Sequence, residues 1–224
     1  MLDVGGGTGA FSIPLAERGF AVTHVDVSPS MLSAACAKSA LPRYIEASAD
    51  QLARFADGAF DLVLNMDGAI SFAGPLWPRA LAESCPVGRT LFTTVSNRAC
   101  MSATWLAYSL RASGRVLPAV TEMLRTGSWD KDQFPESAEL YPTVCDVPHF
   151  KAFTPDELAG ALEQNGMTVL VARSLGSLTH LMLPHGRDAT DVPGLVELCE
   201  EYDLAMPGPG SFRRAGLFAV ARRT

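Results

Sequence analysis

Leu2-Asp3-Val4-Gly5-Gly6-Gly7-Thr8-Gly9, followed by Val22-Thr23-His24-Val25-Asp26, decides the fold. A short apolar run ends in a glycine-dense turn, and a second apolar run ends in an acid. The gap from Gly5 to Asp26 is close to the roughly 20 residues that separate a glycine turn from a ribose-binding acid in a strand–turn–helix–strand unit. Glycines permit φ > 0 and let the backbone approach a ligand with no side chain between. The helix that follows aims its first amides at that ligand. An acid at the tip of the neighbouring strand can accept hydrogen bonds from two ribose hydroxyls. The pattern therefore predicts a site for an adenosine-containing cofactor.

Gly5-x-Gly7-x-x-Ala10 also satisfies the dinucleotide fingerprint, so the cofactor must be decided by other residues. Asp3 stands just before the first glycine, where a carboxylate would repel a pyrophosphate. A donor that carries an ammonium and a sulfonium and no phosphate would be favoured there. In Asp26-Val27-Ser28-Pro29-Ser30-Met31-Leu32 the acid runs directly into a helix start, with Ser28 as N-cap and Pro29 at the first helical position. Met31 is then placed to lie against a flat base.

At this point the chain resembles the class I S-adenosylmethionine-dependent methyltransferases. The likeness rests on residues 2–9, on Asp26–Leu32, on Ala47-Ser48-Ala49-Asp50 after a third apolar run, and on Phe60-Asp61-Leu62-Val63-Leu64-Asn65-Met66-Asp67 as a fourth strand. It covers residues 1–95 well and the rest in outline. The resemblance implies S-adenosylmethionine held by Asp3, Gly5, Gly7, Gly9, Asp26, Val27, Met31, Ala49, Asp50, Asn65 and Met66. Asp26 would bind the ribose and Asp50 the adenine amino group, with Asn65 and Met66 beside the methionine moiety. Members of the family usually carry a helical segment before the first strand that helps cover the cofactor. Here the first strand begins at Met1, so that cover is either absent from the sequence or supplied elsewhere.

The length of 224 residues suits one α/β unit with an inserted cap. A net charge of −6 without a Lys/Arg cluster gives no general attraction to nucleic acid. No apolar run approaches the ~20 residues of a membrane span, and the start lacks the basic region of a signal peptide. Cys36, Cys85, Cys100, Cys145 and Cys199 are odd in number and scattered. That spacing suits neither a disulfide framework nor a zinc site and fits a reducing cytoplasm.

The expected architecture is α/β and Rossmann-like: a mostly parallel seven-stranded sheet with helices on both faces and a helical cap inserted after strand five. Residues 1–95 and 151–224 form the core and 96–150 the cap. Strands are expected near 1–4, 20–25, 43–47, 60–66 and 88–95, with helices near 10–18, 29–39, 50–55 and 75–84. Two helices, Met101–Ala112 and Val116–Arg125, open the cap, and a turn-rich stretch, 126–150, closes it. Thr154-Pro155-Asp156-Glu157 is a capping box, and Asn165-Gly166 a helix stop. Met167–Ala172 is a sixth strand, 191–203 a helix and Gly216–Ala221 the last strand.

A sulfonium is already an excellent leaving group. Methyl transfer therefore needs alignment and exclusion of water first, and a general base only where the nucleophile must lose a proton. Ligands of such sheets sit at the carboxyl ends of the strands, which brings Asn65, Met66, Asp67, Ser96 and Asn97 into range. His149 is the base candidate because histidine titrates near neutral pH; its alternative is a ring that only bonds a loop carbonyl. Tyr141 would orient a substrate or simply pack. His24 is expected on the sheet, and His180 and His185 at the surface. Among Phe72, Trp77, Trp105, Tyr108, Trp129, Phe134 and Phe153, most would be ordinary core and a few would line a substrate chamber.

The expected function is methyl transfer to a small organic substrate. The alternatives are S-adenosylmethionine chemistry other than methyl transfer (cyclisation or elimination of its aminobutyryl chain), a nicotinamide oxidoreductase, and a cofactor-binding protein without turnover. No nucleic acid, membrane or metal is implied. A homodimer through the cap is possible.

Overall fold

The computed structural model describes residues 1–66, 68–130, 132–133, 149–175 and 216–223. Five strands run parallel in the order β3-β2-β1-β4-β5: β1 (Leu2–Val4), β2 (Thr23–Asp26), β3 (Arg43–Glu46), β4 (Phe60–Asn65) and β5 (Gly88–Asn97). Two further strands are β6 (Ser128–Asp130) and β7 (His149–Phe153), paired antiparallel. β7 also pairs parallel with the last two residues of β5. The sheet is completed by β8 (Met167–Leu175) and β9 (Gly216–Arg223), where β9 lies antiparallel between β5 and β8.

The flanking helices are α1 (Ser12–Glu17), α2 (Pro29–Lys38), α3 (Ala69–Phe72), α4 (Trp77–Val87), α5 (Arg98–Ser113), α6 (Pro118–Thr126) and α7 (Pro155–Gln164), with one 3-10 turn at Gly74–Leu76. Their ends follow local chemistry. Ser28 caps α2 through the Met31 N–H at 3.4 Å, with Pro29 at the first position. Thr154 and Glu157 form the reciprocal capping box of α7, at 3.2 and 3.0 Å. Gly114 ends α5 in the left-handed conformation, between the two expected cap helices.

The α/β class and the mixed sheet with flanking helices are as expected, and four details differ. The sheet has nine strands among the described residues in place of seven, because the turn-rich stretch after α6 contributes β6 and β7. Residues 50–55 form successive turns rather than a helix, with the Gln51 N–H bonded to the Ser48 carbonyl and the Phe55 N–H to the Leu52 carbonyl. These turn bonds take the backbone groups a helix would use, and the Ser48 hydroxyl bonds the Asp50 carboxylate. β2 begins at Thr23 because Gly19, at φ +89°, turns the chain and the Phe20 N–H is still bonded back to Leu15. The helix expected near 75–84 begins at Trp77 as α4 and runs to Val87, and the 3-10 turn and the unexpected α3 precede it. The helix expected at 191–203 lies outside the described residues.

Two apolar clusters hold these elements. The larger joins Leu2, Val4, Val25, Val63 and Leu91 of the central strands to Leu81, Leu158 and Leu162 of the helices. The smaller joins α5 and α6 to the β6–β7 pair through Trp105, Val120, Met123, Trp129 and Phe150. Trp105 and Trp129 meet edge to face at 5.7 Å, and Trp77 meets Phe153 at 4.9 Å. These four rings are core or partly buried against it; Phe72 is exposed. Among the described residues no helix is long and apolar enough to cross a membrane.

A charged knot ties the two clusters together. Arg98 donates to the carbonyls of Arg125 and Thr126 at the end of α6, and Lys151 also donates to Thr126. Glu157 pairs with Arg98. Burial alone would raise the Glu157 carboxyl, but the Thr154 N–H, Arg98 and Lys151 together hold it below its ordinary value. Burial lowers the Lys151 ammonium, with Glu157 opposing. The same junction contains Gly127 at φ +72°, where a Cβ would stand 2.0 Å from the Ala152 carbonyl oxygen. Gly127→Ala is expected to cost about 3 kcal/mol or more, a left-handed backbone penalty added to overpacking. Urea denaturation midpoints against the wild type check this.

Candidate cofactor and acceptor site

The parallel register places the loops after β1, β2, β3 and β4 at one edge of the sheet. At the centre of that edge lies the glycine turn. Gly5, Gly7 and Gly9 all have positive φ, at +69°, +55° and +87°. The N–H groups of Gly5 and Gly6 donate to the Val25 carbonyl at 2.8 and 3.1 Å. The Gly7 N–H donates to Asp26 Oδ2 at 2.8 Å, and the Ser28 N–H donates to Asp26 Oδ1 at 2.8 Å. The carboxylate of Asp26 thus bridges the turns after β1 and β2 and is locked in orientation.

Each glycine answers a different constraint. A Cβ at Gly5 would stand 2.6 Å from Ala69 Cβ, so the turn touches the first residue of α3. A Cβ at Gly6 would stand 2.4 Å from the His24 ring and 2.9 Å from Asp3 Oδ2. At Gly7 nothing lies within 4 Å of such a Cβ, so this glycine faces open space. Open space over a left-handed glycine, beside an oriented carboxylate, is what a close-lying ligand requires.

The residues around Asp26 fit a nucleoside. Val27, just after β2, and Met31, in the first turn of α2, are apolar yet 66% and 44% exposed, as surfaces that stack on a base are. Asp50 is buried, with the Ser48 hydroxyl on one oxygen and Arg79 at 3.9 Å from the other. Ala49 is half-buried beside it. Asn65, at the end of β4, is fully buried, and neither its Nδ2 nor its Oδ1 has a partner. Buried amide atoms without partners call for a ligand or water. Met66, the next residue, is half-buried. These residues fit S-adenosylmethionine, and all of them lie at the same sheet edge.

Asp3 lies beneath the turn rather than in it. It is 1% exposed, and Oδ2 accepts the Ser12 hydroxyl at 2.7 Å. Ser12 Oγ is 2.5 Å from Nδ1 of the buried His24. With Asp3 ionised, the donors run from His24 Nδ1–H to Ser12 Oγ–H to the Asp3 carboxylate, and His24 Nε2 is left without a partner. Sequence reading placed His24 on the sheet but gave no sign of its bond to Ser12, and it passed over Gly6. The one available signal was the polar composition of two otherwise apolar strands.

The other flank of the glycine turn begins at α3. Ser71 Oγ receives the Ser96 N–H of β5 at 2.9 Å, and a Cβ at Gly74 would lie 2.3 Å from His149 Cβ. Phe72 meets Phe150 at 5.5 Å. His149 therefore stands just beyond a four-residue helix whose other end touches Gly5. Its Nδ1 is 3.5 Å from Asp130 Oδ2, a partner that sequence reading did not single out. Asn97 caps α5 through Oδ1, while its buried Nδ2 has no partner among the described residues. Asp67, Phe134, Tyr141, His180 and His185 lie outside the described residues.

Known proteins resemble this chain in sequence and fold. Residues 2–89 match the family described as a methyltransferase domain. The chain is 32% identical over 153 residues to the ubiquinone biosynthesis O-methyltransferase of Caulobacter vibrioides, 66% of this chain and 58% of that protein. It is 32% identical over 114 residues to the magnesium-protoporphyrin O-methyltransferase of Rhodobacter capsulatus, 47% of this chain and 49% of that protein. The chain thus spans about half the length of these curated relatives. A solved S-adenosylmethionine-dependent methyltransferase from Mesorhizobium loti shares the fold at a TM-score of 0.64, with 21% identity over 99% of this chain and 89% of that one. The fold is that of solved S-adenosylmethionine-dependent methyltransferases, and the family match over residues 2–89 is to the methyltransferase domain.

Burial pushes the Asp3 carboxyl up from its ordinary value; the bond from Ser12 and the nearby His24 oppose this, and the charge of Asp26 adds to it. A raised carboxyl favours the neutral form in the folded state. Its contribution to stability is full below the unfolded value and is lost as pH rises through the folded value. Asp3→Asn keeps the acceptor for Ser12 and removes the titration. Relative to Asp3→Asn, the wild type is expected to lose stability as pH is raised from the ordinary carboxylate range towards neutrality. Urea denaturation of both proteins across that range checks the trend, and a relative gain would contradict it.

Proposed function

We propose that this protein transfers a methyl group from S-adenosylmethionine to a small organic acceptor, with an oxygen nucleophile as the first class to test. The observation that carries the reading is the doubly held Asp26 carboxylate beside open space at Gly7. Asp26 would take the ribose hydroxyls, Val27 and Met31 the faces of the base, and Ala49 and Asp50 its edge. Gly5, Gly7 and Gly9 would present backbone, while Asn65 and Met66 would meet the methionine portion. When bound, the cofactor supplies a methyl on a sulfonium leaving group.

The chain's own part is then to orient and to take a proton. Asp3 would contribute its negative charge from below the turn rather than a direct contact. His149 is the base for an acceptor hydroxyl, and Tyr141 a residue that would orient the acceptor. Residues 96–150 would cover the acceptor. A small acceptor is supported by the net charge of −6 and by the two curated relatives, both named as O-methyltransferases.

Calorimetric titration tests the first step. Asp26→Ala is expected to weaken S-adenosylmethionine binding by about 1.5–3 kcal/mol, the range for hydrogen bonds to a charged group. Normal binding by that variant would remove the ribose assignment. Turnover on a panel of small phenols and carboxylic acids is read by product. S-adenosylhomocysteine supports methyl transfer; methylthioadenosine in its place would mean chemistry on the aminobutyryl chain.

A further inference from the structure

We infer that Asp130 is a positioning residue: it holds His149 in the Nδ1–H tautomer and leaves Nε2 as the acceptor nitrogen of the ring. Asp130 and His149 are directly opposite in the antiparallel β6–β7 pair. Cross-strand partners of this kind put their side chains on the same face. His149 Nδ1 lies 3.5 Å from Asp130 Oδ2. At 3.5 Å the pair is an electrostatic contact, longer than an ordinary hydrogen bond; a carboxylate only accepts, so it favours hydrogen on the ring nitrogen that faces it, and in the neutral ring the other nitrogen is then the acceptor. A neutral imidazole without such a partner takes its tautomer from whatever else it bonds.

The pair is not a stability device. The side chains of His149 and Asp130 are 37% and 32% exposed, and an ion pair that wet is worth about 0–1 kcal/mol. What it does fix is direction. The strands beneath it are anchored: Trp129 and Phe150 belong to the smaller apolar cluster, and Lys151 is bonded to Thr126.

Its place also matters. His149 Cβ occupies the space that a side chain at position 74 would fill. From Gly74 the chain runs back through α3 to Ala69, which touches Gly5 of the cofactor turn. Four helical residues span about 6 Å, so the ring stands one short helix from the turn. Use of Nε2 to take a proton from an acceptor hydroxyl rests on the methyl-transfer reading above; the tautomer does not.

The test is long-range proton–nitrogen correlation NMR on the uniformly 15N-labelled full chain, at a pH where its imidazoles are neutral, with His149 assigned by its loss in His149→Gln. The wild type is expected to show His149 as the Nδ1–H form, and Asp130→Ala to return it to the Nε2–H form that free histidine favours. A wild-type His149 in the Nε2–H form overturns the inference with no variant needed, and so does an unchanged tautomer in Asp130→Ala. On an acceptor methylated by the wild type, Asp130→Ala is expected to lower turnover by about 10²-fold, the low end for general-base catalysis, with S-adenosylmethionine affinity unchanged. Unchanged turnover overturns the positioning role. A wild type that binds the cofactor yet never forms S-adenosylhomocysteine would instead sink methyl transfer and leave the tautomer result standing.

Discussion

The bond from the Gly7 N–H to the Asp26 carboxylate is the contact on which the site depends. It joins the first and second βα turns, which no other side chain among the described residues does at that edge. One carboxylate oxygen is given to each turn, so the group cannot swing without losing a bond on one side. The constraint reaches downward as well. Gly6 can sit on His24 only because it lacks a Cβ, and the ring below it is tied through Ser12 to Asp3. The turn is therefore fixed from above by an acid on β2 and from below by a polar chain between β1, α1 and β2.

The glycine turn, Asp26 at the end of β2, the caps at Ser28 and Thr154 and the approximate strand positions of the first half were legible because each is written in neighbouring residues. Caps and turns depend on the chemistry of three or four consecutive side chains. The Asp3–Ser12–His24 chain joins positions 9 and 12 residues apart, across two strands and a helix, and no periodicity announces it. β6 is three residues long and β7 follows a proline-rich stretch, so both read as loop until their pairing is seen. Residues 50–55 looked helical by composition, but turn bonds took the backbone first. Asp130 was hidden for the same reason as β6: its partner is 19 residues away and meets it only through strand pairing.

The two halves of the chain are joined by electrostatics as much as by packing. Arg98 follows the end of β5, Thr126 ends α6, Lys151 lies on β7 and Glu157 begins α7. Two cations converge on the carbonyls that α6 leaves unpaired, the placement a helix C-terminus favours. Glu157 meets Arg98 and lies close enough to Lys151 for each to influence the other's ionisation. The knot lies on the strand that carries His149, so the charges that close α6 also fix the backbone of β7.

α3 is four residues long, too short to persist alone, and both its flanks abut places where a methyl group is missing: Gly5 before it and Gly74 after it. It behaves as a shim of set thickness. The gap between the first turn of the sheet and the histidine strand is thus gauged by atoms the chain leaves out. Enlarging either glycine would change the spacing of the site before it altered any residue that does chemistry.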